Sequence, residues 1–217
     1  MFADDCLLYR EIKHPDDVSI LQADLDKLQS WEAEWLMEFN PSKCEAITFT
    51  KKTKPVKSEY TLHGVVLTTV ITAKYLGVNI NNKLSWNNHT DTITKRATQS
   101  LNFVRRNFSS CPASIREQCY MSLVRPQLEY ASTVWDNSIK RNVTKIESVQ
   151  RSAARFVCRD YQRTSSVTAM LQSLVWESLQ QRACSRVLML YSIPNGLVDI
   201  PAAKVQNQGL SDVIVDM

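Results

Sequence analysis

Only four of the 217 residues are glycine, which excludes Gly-rich linkers, collagen-like repeats and a Gly-rich phosphate loop. No apolar run approaches the roughly 20 residues needed to cross a bilayer. Met1-Phe2-Ala3-Asp4-Asp5 lacks the basic-then-apolar layout of a secretory signal. The expected compartment is therefore intracellular, cytoplasmic or nuclear, with no membrane partner. Cys6, Cys44, Cys111, Cys119, Cys158 and Cys184 include no CxxC or CxxH pair, so neither a zinc site nor a disulfide framework is expected. His14, His63 and His89 are scattered without metal-ligand spacing, and no serine stands in a nucleophile-elbow context.

What is present is an ordinary globular composition, 44% hydrophobic and 22% charged, long enough for one large domain or two small ones. The net charge of +4 hides a block pattern. Residues 1–90 balance to −2, whereas residues 91–163 hold 13 Lys/Arg against 6 Asp/Glu. A basic middle beside an acidic motif suggests a polyanion partner and a cation.

Along the chain, Asp5–Arg10 reads as a short buried strand. His14-Pro15-Asp16-Asp17 then opens a helix over about 16–38, whose stripe is Val18, Leu21, Leu25, Leu28, Trp31 and Trp35. Asn40-Pro41-Ser42 stops it. Glu45–Thr50 is expected to be a strand, 60–70 a hairpin pivoting at His63-Gly64, and 74–80 one further strand. From about 89 the period becomes helical. Ile93, Ala97, Leu101, Val104 and Phe108 form one stripe, and Val143, Ile146, Val149, Ala153 and Phe156 another. Pro112 fits a helix start, Pro126 interrupts that helix, and further helices are expected near 166–173 and 177–193. Phe103, Phe108 and Trp135 are read as core. The expected class is α+β: residues 1–88 hold strands and one long helix, 89–200 are helical, and 201–217 form a tail that frays.

Asp4 and Asp5 are the sharpest chemical feature. Adjacent carboxylates before an apolar strand are costly unless they face water or a cation, and strand neighbours point to opposite faces. A hard divalent ion takes one or two carboxylates plus phosphate oxygens. Asp-Asp also favours turns, so the pair alone does not decide between these.

The flanking residues add to it. Phe2-Ala3-Asp4-Asp5 followed by Cys6-Leu7-Leu8-Tyr9 resembles the (Phe/Tyr)-Ala-Asp-Asp hairpin of reverse transcriptases. Phe39-Asn40-Pro41-Ser42-Lys43-Cys44-Glu45 resembles the family's next motif, with Lys43 at its lysine. Lys74-Tyr75-Leu76-Gly77-Val78 and Leu84-Ser85-Trp86 resemble the primer-grip strand and the entry to the thumb. The stretch from Ser122 to Ala131, with Trp135, is similar to the thumb region of non-LTR (LINE-type) retrotransposon enzymes. Leu174, Trp176, Arg182 and Ile193–Leu197 match downstream. The motifs stand in one order over about 2–200.

The resemblance implies a partial polymerase palm, with antiparallel strands and one long helix, followed by an all-helical thumb. It implies RNA-directed DNA polymerase chemistry: two-metal nucleotidyl transfer using an RNA template, a DNA primer and deoxynucleoside triphosphates. Asp4 and Asp5 would be catalytic metal ligands for Mg²⁺, or Mn²⁺ in its place. Lys43 would stabilise charge at the leaving pyrophosphate, and Tyr75, Leu76 and Gly77 would form the primer grip. Arg105, Arg106, Lys145, Arg151 and Arg155 would lie along the phosphates of the duplex. The family's upstream catalytic Asp and fingers precede the Phe-Ala-Asp-Asp motif. The chain alone is therefore expected to be an inactive, truncated segment that does not hold the metal tightly. Its N-terminal strand is expected to offer an unpaired edge for self-association. The alternative is a non-catalytic remnant that binds nucleic acid or a protein partner.

Overall fold

The computed structural model describes residues 6–50, 52, 53, 56, 58–135, 139–177, 179, 188, 191, 192, 195 and 197, together with the backbone of 212–216. The chain is mixed α+β and packs as two compact units. The first takes residues up to Ser85 with the strand at 212–216, and the second begins at Trp86.

In the first unit, β1 (Leu7–Glu11) leads into α1 (Pro15–Trp35). Pro15 sits in the first turn, where its missing N–H costs nothing. Asp17 Oδ2 accepts from Lys13 and His14 N–H, both at 2.8 Å. The helix ends three residues before the expected position 38, because Leu36 turns left-handed (φ 53). Its stripe is only partly as expected: Leu21 and Leu25 are fully buried, Trp35 is exposed, and the buried place in the last turns belongs to Glu32.

β2 (Glu45–Phe49) sits between two layers. Strand alternation turns Cys44 and Ala46 towards Ile12, Leu21, Leu25, Tyr60, Leu62 and Leu67. Ile47 and Phe49 go the other way, onto Val70, Ala73 and Ile80. β3 (Thr61–Leu62) and β4 (Val65–Val66) form the expected hairpin. Its two turn residues, His63 (φ 51) and Gly64 (φ 73), are both left-handed, the pattern of a type I′ turn. Gln22 of α1 completes the edge of β3, donating to Thr61 O and accepting from Thr61 N–H, each at 2.9 Å.

Three features differ from expectation. β5 (Thr68–Val70) pairs with β2 in parallel, where the sheet was expected to be antiparallel. Residues 74–80 are not one strand: β6 (Thr72–Tyr75) and β7 (Val78–Asn81) form a second tight hairpin turning at Leu76 (φ 44) and Gly77 (φ 80). The tail expected to fray contributes β8 (Asp212–Asp216), which lies antiparallel between β1 and β2 in the order β1-β8-β2-β5. β1 is thus paired with β8 along Leu7–Glu11 on one side and remains, among the described residues, an edge strand of its sheet.

The second unit is helical: α2 (Asn87–Phe108), α3 (Ala113–Leu123), α4 (Arg125–Glu129), α5 (Ser132–Trp135), α6 (Lys140–Cys158) and α7 (Val167–Ser173). Pro126 does interrupt the helix that starts after Pro112, and it then serves in the first turn of α4. The stripes of α2 and α6 bury Ile93, Ala97, Leu101, Val104, Ile146, Val149, Ala153 and Phe156. Trp135 is fully buried, its Nε1 donating to Tyr130 O at 2.7 Å and its ring edge-on to His89, 5.0 Å between centroids. Phe103, expected in the core, is 51% exposed. Residues 177–193, expected to be a helix, lie mostly outside the described residues. Among the described residues no helix is long and apolar enough to cross a membrane.

Candidate functional site

Asp4 and Asp5 lie outside the described residues, just ahead of β1. Lys43 is exposed, two residues before β2. It stands on a tightly built turn. Asn40 Oδ1 accepts from Ser42 N–H (3.0 Å) and Oγ–H (2.7 Å), and Asn40 O accepts from Lys43 N–H (2.9 Å). Cys44, 2% exposed, closes the turn by donating its Sγ–H to Asn40 O at 3.2 Å. The Asn-Pro-Ser run is thus a local hydrogen-bond motif that leaves the Lys43 side chain outward.

At the other end of the same turn is Glu32, 2% exposed. Its Oε1 accepts from Phe39 N–H at 2.5 Å. Its Oε2 lies 2.9 Å from His63 Nε2, an ion-pair distance without hydrogen-bond alignment. Sequence reasoning passed over Glu32 and read His63 only as a turn residue. The only signal was a carboxylate in the place where the stripe Leu21-Leu25-Leu28 continues.

Tyr75, Leu76 and Gly77 form the tip of the β6–β7 hairpin. The base of that hairpin is tied by Asn81, whose Nδ2 donates to Ile71 O at 3.1 Å and whose Oδ1 accepts from Lys83 N–H at 3.0 Å. Ala73 and Ile80 anchor it on Ile47 and Phe49 of β2. The first unit therefore carries both Lys43 and the hairpin tip on a frame built around β2.

In the second unit the five basic candidates divide. Arg106 and Arg151 are exposed on α2 and α6. Arg105 Nη2 is engaged by Ser152, Lys145 pairs with Asp91, and Arg155 donates to the carbonyls of Asp160 (3.3 Å), Gln162 (3.0 Å) and Ser165 (3.4 Å). A further cation escaped the sequence reading. Arg116, 4% exposed, donates to Val157 O at 2.6 Å at the C-terminal end of α6 and stands over the Phe156 ring at 5.7 Å. Burial, and then the neighbouring Arg159 cation, pull its pKa below the ordinary range. The partial negative charge of the helix end offsets part of that cost.

Among the described residues no group of three or more His, Cys, Asp or Glu is placed to hold a metal ion. The described side chains alone therefore do not make the cation site that the Asp-Asp motif implied.

No protein-family profile matches the chain, and no solved structure matches it significantly. Curated proteins do. The chain is 29% identical, over 85% of its length and 21% of the relative's, to the probable RNA-directed DNA polymerase from transposon BS of Drosophila melanogaster. It is 28% identical, over 82% of the chain and 20% of the relative, to the RNA-directed DNA polymerase from mobile element jockey of the same species. The jockey enzyme of Drosophila funebris matches at 24% over 90% of the chain and 22% of that protein. The chain spans about a fifth of the length of these relatives. It is thus a relative, over most of its own length, of the RNA-directed DNA polymerases of non-LTR retrotransposons, the group whose motif order it resembles.

Proposed function

We propose that this chain is the palm-and-thumb segment of a non-LTR retrotransposon reverse transcriptase, and that its residues serve RNA-templated DNA synthesis. The observation that carries the reading is similarity to mobile-element polymerases along 82–90% of the chain in three relatives, with the Phe-Ala-Asp-Asp, Lys43 and Leu-Gly motifs in one order. In this reading Asp4 and Asp5 are the carboxylates that hold a divalent ion, Mg²⁺ or Mn²⁺, which when bound activates the primer hydroxyl and neutralises the triphosphate. Lys43, outward on a rigid turn, faces the leaving pyrophosphate. The β6–β7 hairpin grips the primer, its tip residues Tyr75, Leu76 and Gly77 held out from β2. The second unit is the thumb, with the exposed Arg106 and Arg151 as cations for duplex phosphates and Lys145 joining them when it releases Asp91.

The test is an RNA–DNA primer–template titrated with the 217-residue chain between 50 and 400 mM salt, alongside primer extension by a longer polymerase that contains this segment. Binding that weakens steeply with salt, and loss of extension in Asp4→Ala, support the reading. Salt-independent binding, or full extension by Asp4→Ala, overturns it.

A further inference from the structure

Glu32 continues the stripe that buries Leu21 and Leu25. A position that served packing alone would take an apolar side chain there, since a buried carboxylate is costly unless it is hydrogen-bonded. This one is spent on a neighbouring loop. The left-handed Leu36 reverses the chain, Met37 N–H returns to Glu32 O at 3.1 Å, and the Glu32 carboxylate takes Phe39 N–H at 2.5 Å. Phe39 opens the turn that ends at Lys43, and its side chain packs against the core cluster that includes Leu21, Leu25 and Tyr60. The far end of the turn is held by buried Cys44. The segment between is thus fixed at two points, Glu32 and Cys44, with Lys43 held outward. His63, in the left-handed turn of the β3–β4 hairpin, faces the second carboxylate oxygen and limits its rotation.

We propose that Glu32 is the positioning residue for the Lys43 turn, holding the lysine ready to receive a polyphosphate. The inference rests on the reading of Lys43 as the cation at the leaving pyrophosphate. Glu32 touches no substrate; it acts through the backbone of Phe39. What matters is therefore an acceptor oxygen with the reach of a glutamate side chain. Gln keeps that oxygen without the charge, whereas Asp keeps the charge but draws it back by one methylene.

The experiment uses the full 217-residue chain and inorganic triphosphate as the probe, with amide exchange and chemical shifts of residues 39–44 read by NMR. Glu32→Ala and Glu32→Asp are expected to speed exchange of the Phe39 amide, and to weaken the triphosphate response at Lys43, by about tenfold each, as loss of one buried hydrogen bond predicts. Glu32→Gln is expected to stay within about threefold of the parent on both readouts. His63→Ala, at a turn on the unit's surface, is expected to fall between them and needs no core change. Unchanged Phe39 exchange in Glu32→Asp, or identical behaviour of Gln and Ala, overturns the tether. A normal triphosphate response in Lys43→Ala, with the Phe39 amide still freed by Glu32→Asp, overturns instead the reading of Lys43 and with it the positioning role.

Discussion

Arg105 Nη2 lies 2.7 Å from Ser152 O and 2.8 Å from Ser152 Oγ, which clamps the last turn of α2 to α6. With Nη2 held by a carbonyl and a hydroxyl inside its own unit and Nε buried, this guanidinium offers less of its fork to a phosphate than an exposed arginine does. Arg105→Ala is therefore expected to lower the stability of the second unit by about 1–2 kcal/mol while leaving the salt dependence of nucleic-acid binding nearly unchanged. Arg106→Ala and Arg151→Ala, both at exposed positions, are expected to do the reverse. Each should leave the melt in place and reduce the slope of log K against log salt by about one. Urea melts and anisotropy titrations on the same three variants check both halves. A lowered slope in Arg105→Ala would mean that the clamp opens on binding.

His89 is 1% exposed and meets Trp135 edge-on. Burial, and after it the Arg96 cation, lower its pKa below the ordinary value of 6.5. Above that value the side chain is neutral in both folded and unfolded chains, and its contribution to stability is complete. As pH falls through 6.5 the unfolded chain takes up the proton first, so stability is lost progressively down to the folded pKa. The melting temperature of the second unit is expected to fall by several degrees between about pH 7.5 and 5. In His89→Phe, which keeps an aromatic edge against Trp135, that fall should be shallower. Equal pH profiles for the two proteins would sink this account.

How far these features could be read from sequence depended on whether the signal was local. The α2 and α6 stripes were legible because buried positions recur at helical spacing. The turn at His63-Gly64 was legible because its glycine stands between two runs of β-formers. The turn at Leu76-Gly77 was not, because an apolar Leu at φ 44 gives no turn signal and hides a hairpin inside what looks like one strand. The pairing of β8 with β1 and β2 joins residues about 200 and 170 positions apart, and no local pattern encodes it. For the basic residues the sequence supplied only charge. Which guanidinium is engaged depends on carbonyls brought up by packing, as at Ser152 for Arg105 and at Val157 for Arg116. Glu32 shows the opposite case, a polar residue in an apolar stripe whose purpose appears only once Phe39 folds back on it.

Trp176 stacks on Tyr120, with centroids 4.4 Å apart and planes 20° from parallel, while its Nε1 donates to Glu117 Oε1 at 2.8 Å. One side chain thus holds the segment after α7 against α3. Trp176→Ala is expected to cost about 3–5 kcal/mol through the lost stack and the cavity it leaves. Trp176→Phe should cost less, losing the hydrogen bond and part of the area. Glu117→Gln, which still offers an oxygen to the indole, should lie within about 1 kcal/mol of the parent. Chemical denaturation of the three variants should give that order, and a Glu117→Gln loss as large as that of Trp176→Ala would assign the effect to charge instead of packing.

Leu76 and Gly77 are both left-handed, at φ 44 and φ 80. A two-residue turn of that kind favours Asn-Gly, and a branched apolar side chain at its first position carries strain of about 1 kcal/mol. Leu76→Asn is therefore expected to raise the stability of the first unit by up to about 1 kcal/mol, and Gly77→Ala to lower it by about 1–2 kcal/mol. Retaining a strained leucine at the tip of a hairpin anchored on β2 makes sense if the side chain is needed where it stands. The proposed grip role supplies such a need. In a polymerase containing this segment, Leu76→Asn should then stabilise the fold yet impair use of the primer end, raising the primer KM or lowering extension severalfold. A variant more stable than the parent and equally active would leave the leucine without a role at the primer and remove Tyr75, Leu76 and Gly77 from the proposed site.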